Sequence, residues 1–196
     1  VAKGRNADQL QLHATSAGKL IFSALGTTAT RRADGIAGLG LTPPAVVPPK
    51  DCDRWGDAPS RIGAGHQLIS EFRGAPLLDP DPARPGHMAM WGRVRAGTVT
   101  TSEKLGFLAD MVPIASCRAA GIEGAGTSLD NTLRLGDLVE TEWVLIELEG
   151  QAVNGSYGHG VTHLWSPDGQ LMAIGSQSAK LFSFADFMDR RGQVSD

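Results

Sequence analysis

Three residues of the types needed to hold and activate a water molecule stand far apart in this chain. They are Asp110, inside the apolar stretch Leu105 to Cys117 (LGFLADMVPIASC), Ser128 in GTSLDN, and Gln177 in GSQSA. A carboxylate can accept a proton from water, while a hydroxyl and an amide can fix the water's orientation, and no metal is required. A carboxyl group of ordinary pKa, about 3.9, is a weak base at neutral pH, and burial among apolar neighbours moves such a group toward the useful range. The stretch therefore predicts a buried Asp110 acting as a base. Blander roles exist for each residue: Asp110 as the cap of a second short helix that restarts after the Pro113 break, Ser128 as a half-buried strand hydroxyl, and Gln177 as an exposed residue between Ser176 and Ser178. Asp130 shares a strand face with Ser128 and is a second candidate carboxylate and a candidate substrate contact, although Asn131, Thr132 and Arg134 beside it also fit a salt bridge or a turn.

Such a trio needs a helix and two strands to bring it together. Thr100 and Glu103 have capping-box spacing, and Leu105, Leu108, Met111, Val112 and Ala115 recur at helical intervals. Gly106, Phe107, Ile114 and Cys117 occupy the other faces, so the helix is apolar nearly all round and belongs inside something. Pro113 lacks a backbone N–H, which deprives the Ala109 carbonyl of its usual partner and predicts a bend or an end beside Asp110. Before the helix, Gln67 to Arg73 and His87 to Arg95 read as strands separated by the turn-forming LLDPDPARPG. After it, Ser128 to Leu135, Glu142 to Leu148, Tyr157 to Trp165 and Gln170 to Phe182 read as four more. Ser166-Pro167-Asp168-Gly169 is a type I turn between the last two. Two strands, one buried helix and four strands predict an α+β fold in which an antiparallel sheet curls around the helix, the hot-dog arrangement.

The N-terminal part has a related outline. Gln9 to Leu25 contains two alternating runs around Ser16-Ala17-Gly18, a second hairpin, and SAGKLIFSA can be laid on PDGQLMAIG. This predicts a tail hairpin of an earlier repeat over residues 1–30 and a Pro- and Gly-rich connector over 31–65. A hot-dog repeat over 66–185 and a short tail over 186–196 follow. Roughly 80 residues of the earlier repeat are then missing, and the absence of an initiator Met points to a chain that begins inside a longer one.

Composition narrows the class. A 41% hydrophobic and 20% charged chain of 196 residues is that of a folded globular protein, and no apolar run reaches the roughly 20 residues of a membrane span. The net charge of -3 and the lack of a basic patch speak against nucleic acid. Cys52 and Cys117 lack disulfide or C-x-x-C spacing, and with no signal peptide the expected compartment is the cytoplasm. His159 and His163 share a strand face, but no further ligand follows at metal-binding spacing, so no metal and no other cofactor is expected. Trp91 in MWGRVR reads as core, and Arg93 and Arg95 could meet the phosphates of a bound ligand.

The segments FLADMVP, GTSLDNTLRL and DGQLMAIGSQ, in that order and spacing, resemble the C-terminal hot-dog of the thioesterase II (TesB-like) acyl-CoA thioesterases. The resemblance covers about Gln67 to Phe182. It implies two hot-dog repeats in one chain and hydrolysis of acyl-CoA to CoA and a carboxylic acid. It also implies that Asp110, Ser128 and Gln177 position and activate the hydrolytic water. Asn131, Ser128 and Ser178 stand where the family often has His, Thr and Glu, departures that bear on substrate range. A non-catalytic acyl-CoA-binding hot-dog and a hot-dog dehydratase are the alternatives. The second is disfavoured because no histidine lies between Lys104 and Arg118. A single incomplete hot-dog leaves a sheet edge and a helix face uncovered, so a homo-oligomer, a dimer, is expected.

Overall fold

The computed structural model of the chain describes residues 1–31, 34–36, 38, 40–55, 69–95 and 101–186. These form two compact units, Val1–Leu41 and Thr42–Asp196.

The first unit is a three-stranded antiparallel sheet of β1 (Ala2–Lys3), β2 (Asp8–Ser16) and β3 (Lys19–Thr28). Its hairpin turns at Ala17 and Gly18, both with positive φ, the geometry that lets a two-residue loop follow the right-handed twist of the strands. Leu10 pairs with Gly26, Leu12 with Ala24 and Ala14 with Phe22, so one face of the hairpin is apolar. Leu10, Leu12 and Phe22 are nevertheless exposed.

The second unit begins in the expected connector, of which a described part is packed rather than free. Cys52 and Val46 lie against the cluster containing Trp91 and Trp165, the Trp91 indole donates to the Val47 carbonyl at 2.8 Å, and β4 (Arg54–Trp55) adds an edge strand. The main sheet runs β4, β5 (Ser70–Gly74), β6 (His87–Val94), β9 (Val144–Asn154), β10 (Tyr157–Trp165), β11 (Leu171–Ser183) and β7 (Gly124–Ser128), with β8 (Thr132–Leu135) also pairing β11. Every pairing is antiparallel. Inward-facing Phe72, Met90, Ile146, Leu148 and Leu164 meet Leu105, Leu108, Met111, Val112 and Ala115 from the helices in one core. Sheet around helix is the hot-dog arrangement that the sequence predicts.

Several boundaries differ from expectation. Gln67 lies outside the described residues, and β5 starts at Ser70. Thr100 does too; the N-cap of α1 (Ser102–Leu108) is Thr101, whose hydroxyl accepts the Lys104 amide. The helix does end beside Asp110, as Pro113 predicts, and α2 (Val112–Ala119) restarts with Pro113 in its first turn. The Ala109 carbonyl freed by Pro113 accepts the Met111 amide at 2.9 Å, which closes the break between the helices. The strand expected over Ser128 to Leu135 is two short strands, so five rather than four follow the helices. β9 also runs six residues beyond Leu148, to a turn in which Gly155 and Ser156 both have positive φ. Asn154-Gly155 was the readable signal for that hairpin.

Helix α2 approaches the sheet closely because glycine faces it. A Cβ on Gly150 would stand 2.5 Å from the Ala115 carbonyl oxygen and 2.7 Å from the Ser116 Cα, both backbone atoms with nowhere to go.

Candidate active site

Pro113 and a bulge in the sheet together build the site. Pro113 ends the intrahelical hydrogen bonding at Ala109, and Asp110 occupies the resulting corner between α1 and α2. Met111, not Asp110, is the N-cap of α2 and makes no side-chain cap bond, so capping does not occupy the Asp110 carboxylate. On the sheet side, Ser128 is the last residue of β7, paired with Ala179, and Thr132 opens β8, paired with Ser176. Between these pairs Leu129, Asp130 and Asn131 oppose Gln177 and Ser178, three residues against two.

The three predicted side chains meet. Ser128 Oγ donates to Asp110 Oδ1 at 3.0 Å, Gln177 Nε2 lies 2.8 Å from Ser128 Oγ, and Gln177 Nε2 also donates to Asp110 Oδ1. Gln177 is buried at 1% exposure, against the bland expectation of an exposed strand residue. Its Oε1 is buried without a hydrogen-bond partner among the described residues. With both donor contacts directed at Asp110 and Ser128, the amide is committed by its Nε2 end.

The burial expected of Asp110 is not found. Asp110 and Ser128 are both exposed, although Leu108, Ala109, Met111 and Val112 around Asp110 are buried. Asp110 thus reaches the buried Gln177 amide while keeping access to solvent.

The other candidates fall elsewhere. Arg93 and Arg95, expected near a ligand's phosphates, lie on the outer face of the sheet with Trp91, opposite to Gln177. Arg93 is held by Glu71 at 2.7 Å and by Glu142, and it stacks 4.6 Å from the Trp143 ring. Burial alone would raise the Glu71 carboxyl, but hydrogen bonds from Arg93 and Arg73 outweigh it and hold the group below its ordinary range. Arg95 donates to the Ser70 carbonyl at 3.0 Å. Asp130 accepts the backbone amide of Ser178 at 2.8 Å, and among the described residues it forms no salt bridge of the kind weighed for it. His159 and His163 do not converge on a common point: His159 lies 3.2 Å from Ser178 Oγ, and His163 is 3.3 Å from Glu147.

Sequence reading missed Glu147. On the outer face its carboxylate takes His87 at 2.9 Å, the Trp165 indole at 3.0 Å and His163. Burial would raise its pKa, yet the hydrogen bonds from His163, His87 and Trp165 outweigh that and lower it. The available signal was the alternation of β9, which puts Glu147 and Glu149 on one face beside His163 and His87 of the flanking strands.

Comparison with known proteins identifies the class and then the family. The fold is that of hot-dog proteins: a candidate thioesterase from Novosphingobium aromaticivorans superposes with a TM-score of 0.79 at 27% identity, over 93% of this chain and 70% of that one. A hot-dog protein of unknown function from Alicyclobacillus acidocaldarius gives 0.77 at 19% identity, again over 93% and 70%. The acyl-CoA thioesterase II TesB2 of Mycobacterium marinum gives 0.66 at 19%, over 93% and 71%. Residues 44–181 match the acyl-CoA thioesterase C-terminal domain, and the chain belongs to that family. No curated protein matches it. No helix among the described residues is long and apolar enough to cross a membrane.

Proposed function

We propose that the chain hydrolyses acyl-CoA thioesters with water activated at Asp110. The observation that carries this is the closed set of hydrogen bonds joining Asp110, Ser128 and Gln177 from a helix corner and two strands. Asp110 accepts a proton as the water oxygen attacks the thioester carbonyl. The tetrahedral intermediate then expels the CoA sulfur, which leaves as the thiol after taking up a proton, and the acyl group leaves as a carboxylic acid. Ser128 and Gln177 orient the carboxylate and the water between them. Family membership supports the substrate class.

The exposure of Asp110 and Ser128 calls for a cover, since a general base works best where competing water is excluded. A second copy of the chain is the proposed cover, and light scattering with and without acyl-CoA reads it directly.

The test is release of CoA thiol from a panel of acyl-CoAs of different chain length. Turnover of at least one member supports the reading. Acyl-CoA binding by calorimetry without thiol release replaces it with a binding module, and hydration of an enoyl-CoA replaces it with a dehydratase.

A further inference from the structure

The interruption between β7 and β8 holds the backbone of the residue after Gln177 at both ends. The Ser178 N–H donates to Asp130 Oδ1 at 2.8 Å, and the Ser178 carbonyl accepts the Leu129 N–H at 2.9 Å. From the opposite strand His159 Nδ1 reaches Ser178 Oγ at 3.2 Å. The Ser178 N–H belongs to the same rigid peptide plane as the Gln177 carbonyl. Fixing that N–H therefore fixes the direction in which the Gln177 side chain leaves the strand. Gln177 needs such a hold, because its own Oε1 is buried and has no hydrogen-bond partner among the described residues. Its aim rests on two donor contacts and on the backbone beneath them.

We propose that Asp130 is a positioning residue: by accepting the Ser178 amide its carboxylate sets the 177–178 peptide plane and aims the Gln177 amide at Asp110 and Ser128. The ordinary ladder partner of the Ser178 N–H is displaced by the bulge, and Asp130 replaces it with a side-chain acceptor. This gives Asp130 a task other than contact with substrate. Its consequence for turnover rests on the thioesterase reading, whereas the geometric claim does not.

The experiment uses the full chain, its Asp130→Ala, Asp130→Asn and Gln177→Ala variants, and the Asp130→Ala/Gln177→Ala double variant, with two readouts. In CoA release, Asp130→Ala is expected to lower kcat about tenfold, the equivalent of one charge-assisted hydrogen bond, with KM within about twofold. Asp130→Asn keeps an acceptor oxygen and restores kcat to within about twofold of the parent. The double variant falls no further than Gln177→Ala, because two residues acting through one side chain do not add. In NMR, the side-chain NH2 resonances of Gln177, assigned by their disappearance in Gln177→Ala, shift toward an averaged pair in Asp130→Ala and hold their positions in Asp130→Asn. Unmoved resonances in Asp130→Ala overturn the proposal. So does a raised KM at unchanged kcat, which makes Asp130 a substrate contact, or an Asp130→Asn that fails as Asp130→Ala does. If the parent chain releases no CoA from any acyl-CoA, the thioesterase reading fails and the resonances still decide the role of Asp130.

Discussion

Gln177 and Asp110 are 67 residues apart in sequence, and the buried amide of one donates to the exposed carboxylate of the other. A buried donor anchors its partner without enclosing it, so Asp110 is held in place through one oxygen while the other has no hydrogen-bond partner among the described residues. If that oxygen is the proton acceptor, Asp110→Asn lowers the rate of CoA release by about 10²- to 10⁴-fold. The circular dichroism spectrum and the urea midpoint should stay near those of the parent, because the amide fills the same volume. Unchanged release in this variant removes Asp110 from the chemistry.

Gln177→Ala should combine a modest loss of stability with a smaller loss of rate. Emptying a buried position of this size costs about 1–3 kcal/mol, read by urea denaturation. If Gln177 only orients Asp110 and the water, CoA release falls less than in Asp110→Asn. An equal or greater fall means that its amide also stabilises the oxyanion, an effect worth about 10²- to 10³-fold elsewhere.

Gly150→Ala tests the contact between α2 and the sheet. The added methyl meets backbone on the helix at 2.5 Å, so the helix has to move, and the cost is about 2 kcal/mol. Gly74→Ala is the control, since nothing lies within 4 Å of the corresponding position. Equal urea midpoints for the two variants contradict the close approach.

Glu147→Gln should destabilise the fold by about 2 kcal/mol at neutral pH, with a definite pH dependence. The Glu147 carboxyl is lowered from its ordinary 4.5 in the folded chain. Its contribution is therefore fully present above that value and disappears as pH falls through the lower folded value. The stability difference between parent and variant therefore narrows as pH falls below about 4.5. A difference that widens through that acid limb has the wrong sign for this network.

The parts of the site that sequence revealed are those governed by local chemistry. Pro113 dictates a helix break wherever it stands, and the corner beside Asp110 is where the Ala109 carbonyl loses its partner. Gln177 was readable as the one amide within an apolar strand face. The split between β7 and β8 was not, because SLDNTLRL alternates like a continuous strand and contains neither Gly nor Pro. The exposure of Asp110 was hidden too: helical periodicity says which residues are apolar, but the direction of a residue at a corner follows from the packing of α1 and α2 against the sheet. Glu147 lay in an alternating strand, and its importance depends on His87 and His163, which only strand order brings beside it.

The bulge opposite Gln177 and Ser178 also bears on how such a site can change over generations. The pairs that flank it, Ser128 with Ala179 and Thr132 with Ser176, set the register on either side. With Asp130 kept on the Ser178 amide and Leu129 acting through its backbone, the side chains at 129 and 131 can vary without a slip that would turn every later side chain of β11 to the wrong face. A lineage could thus retune its substrate range here one residue at a time, with the rest of the sheet indifferent to the experiment.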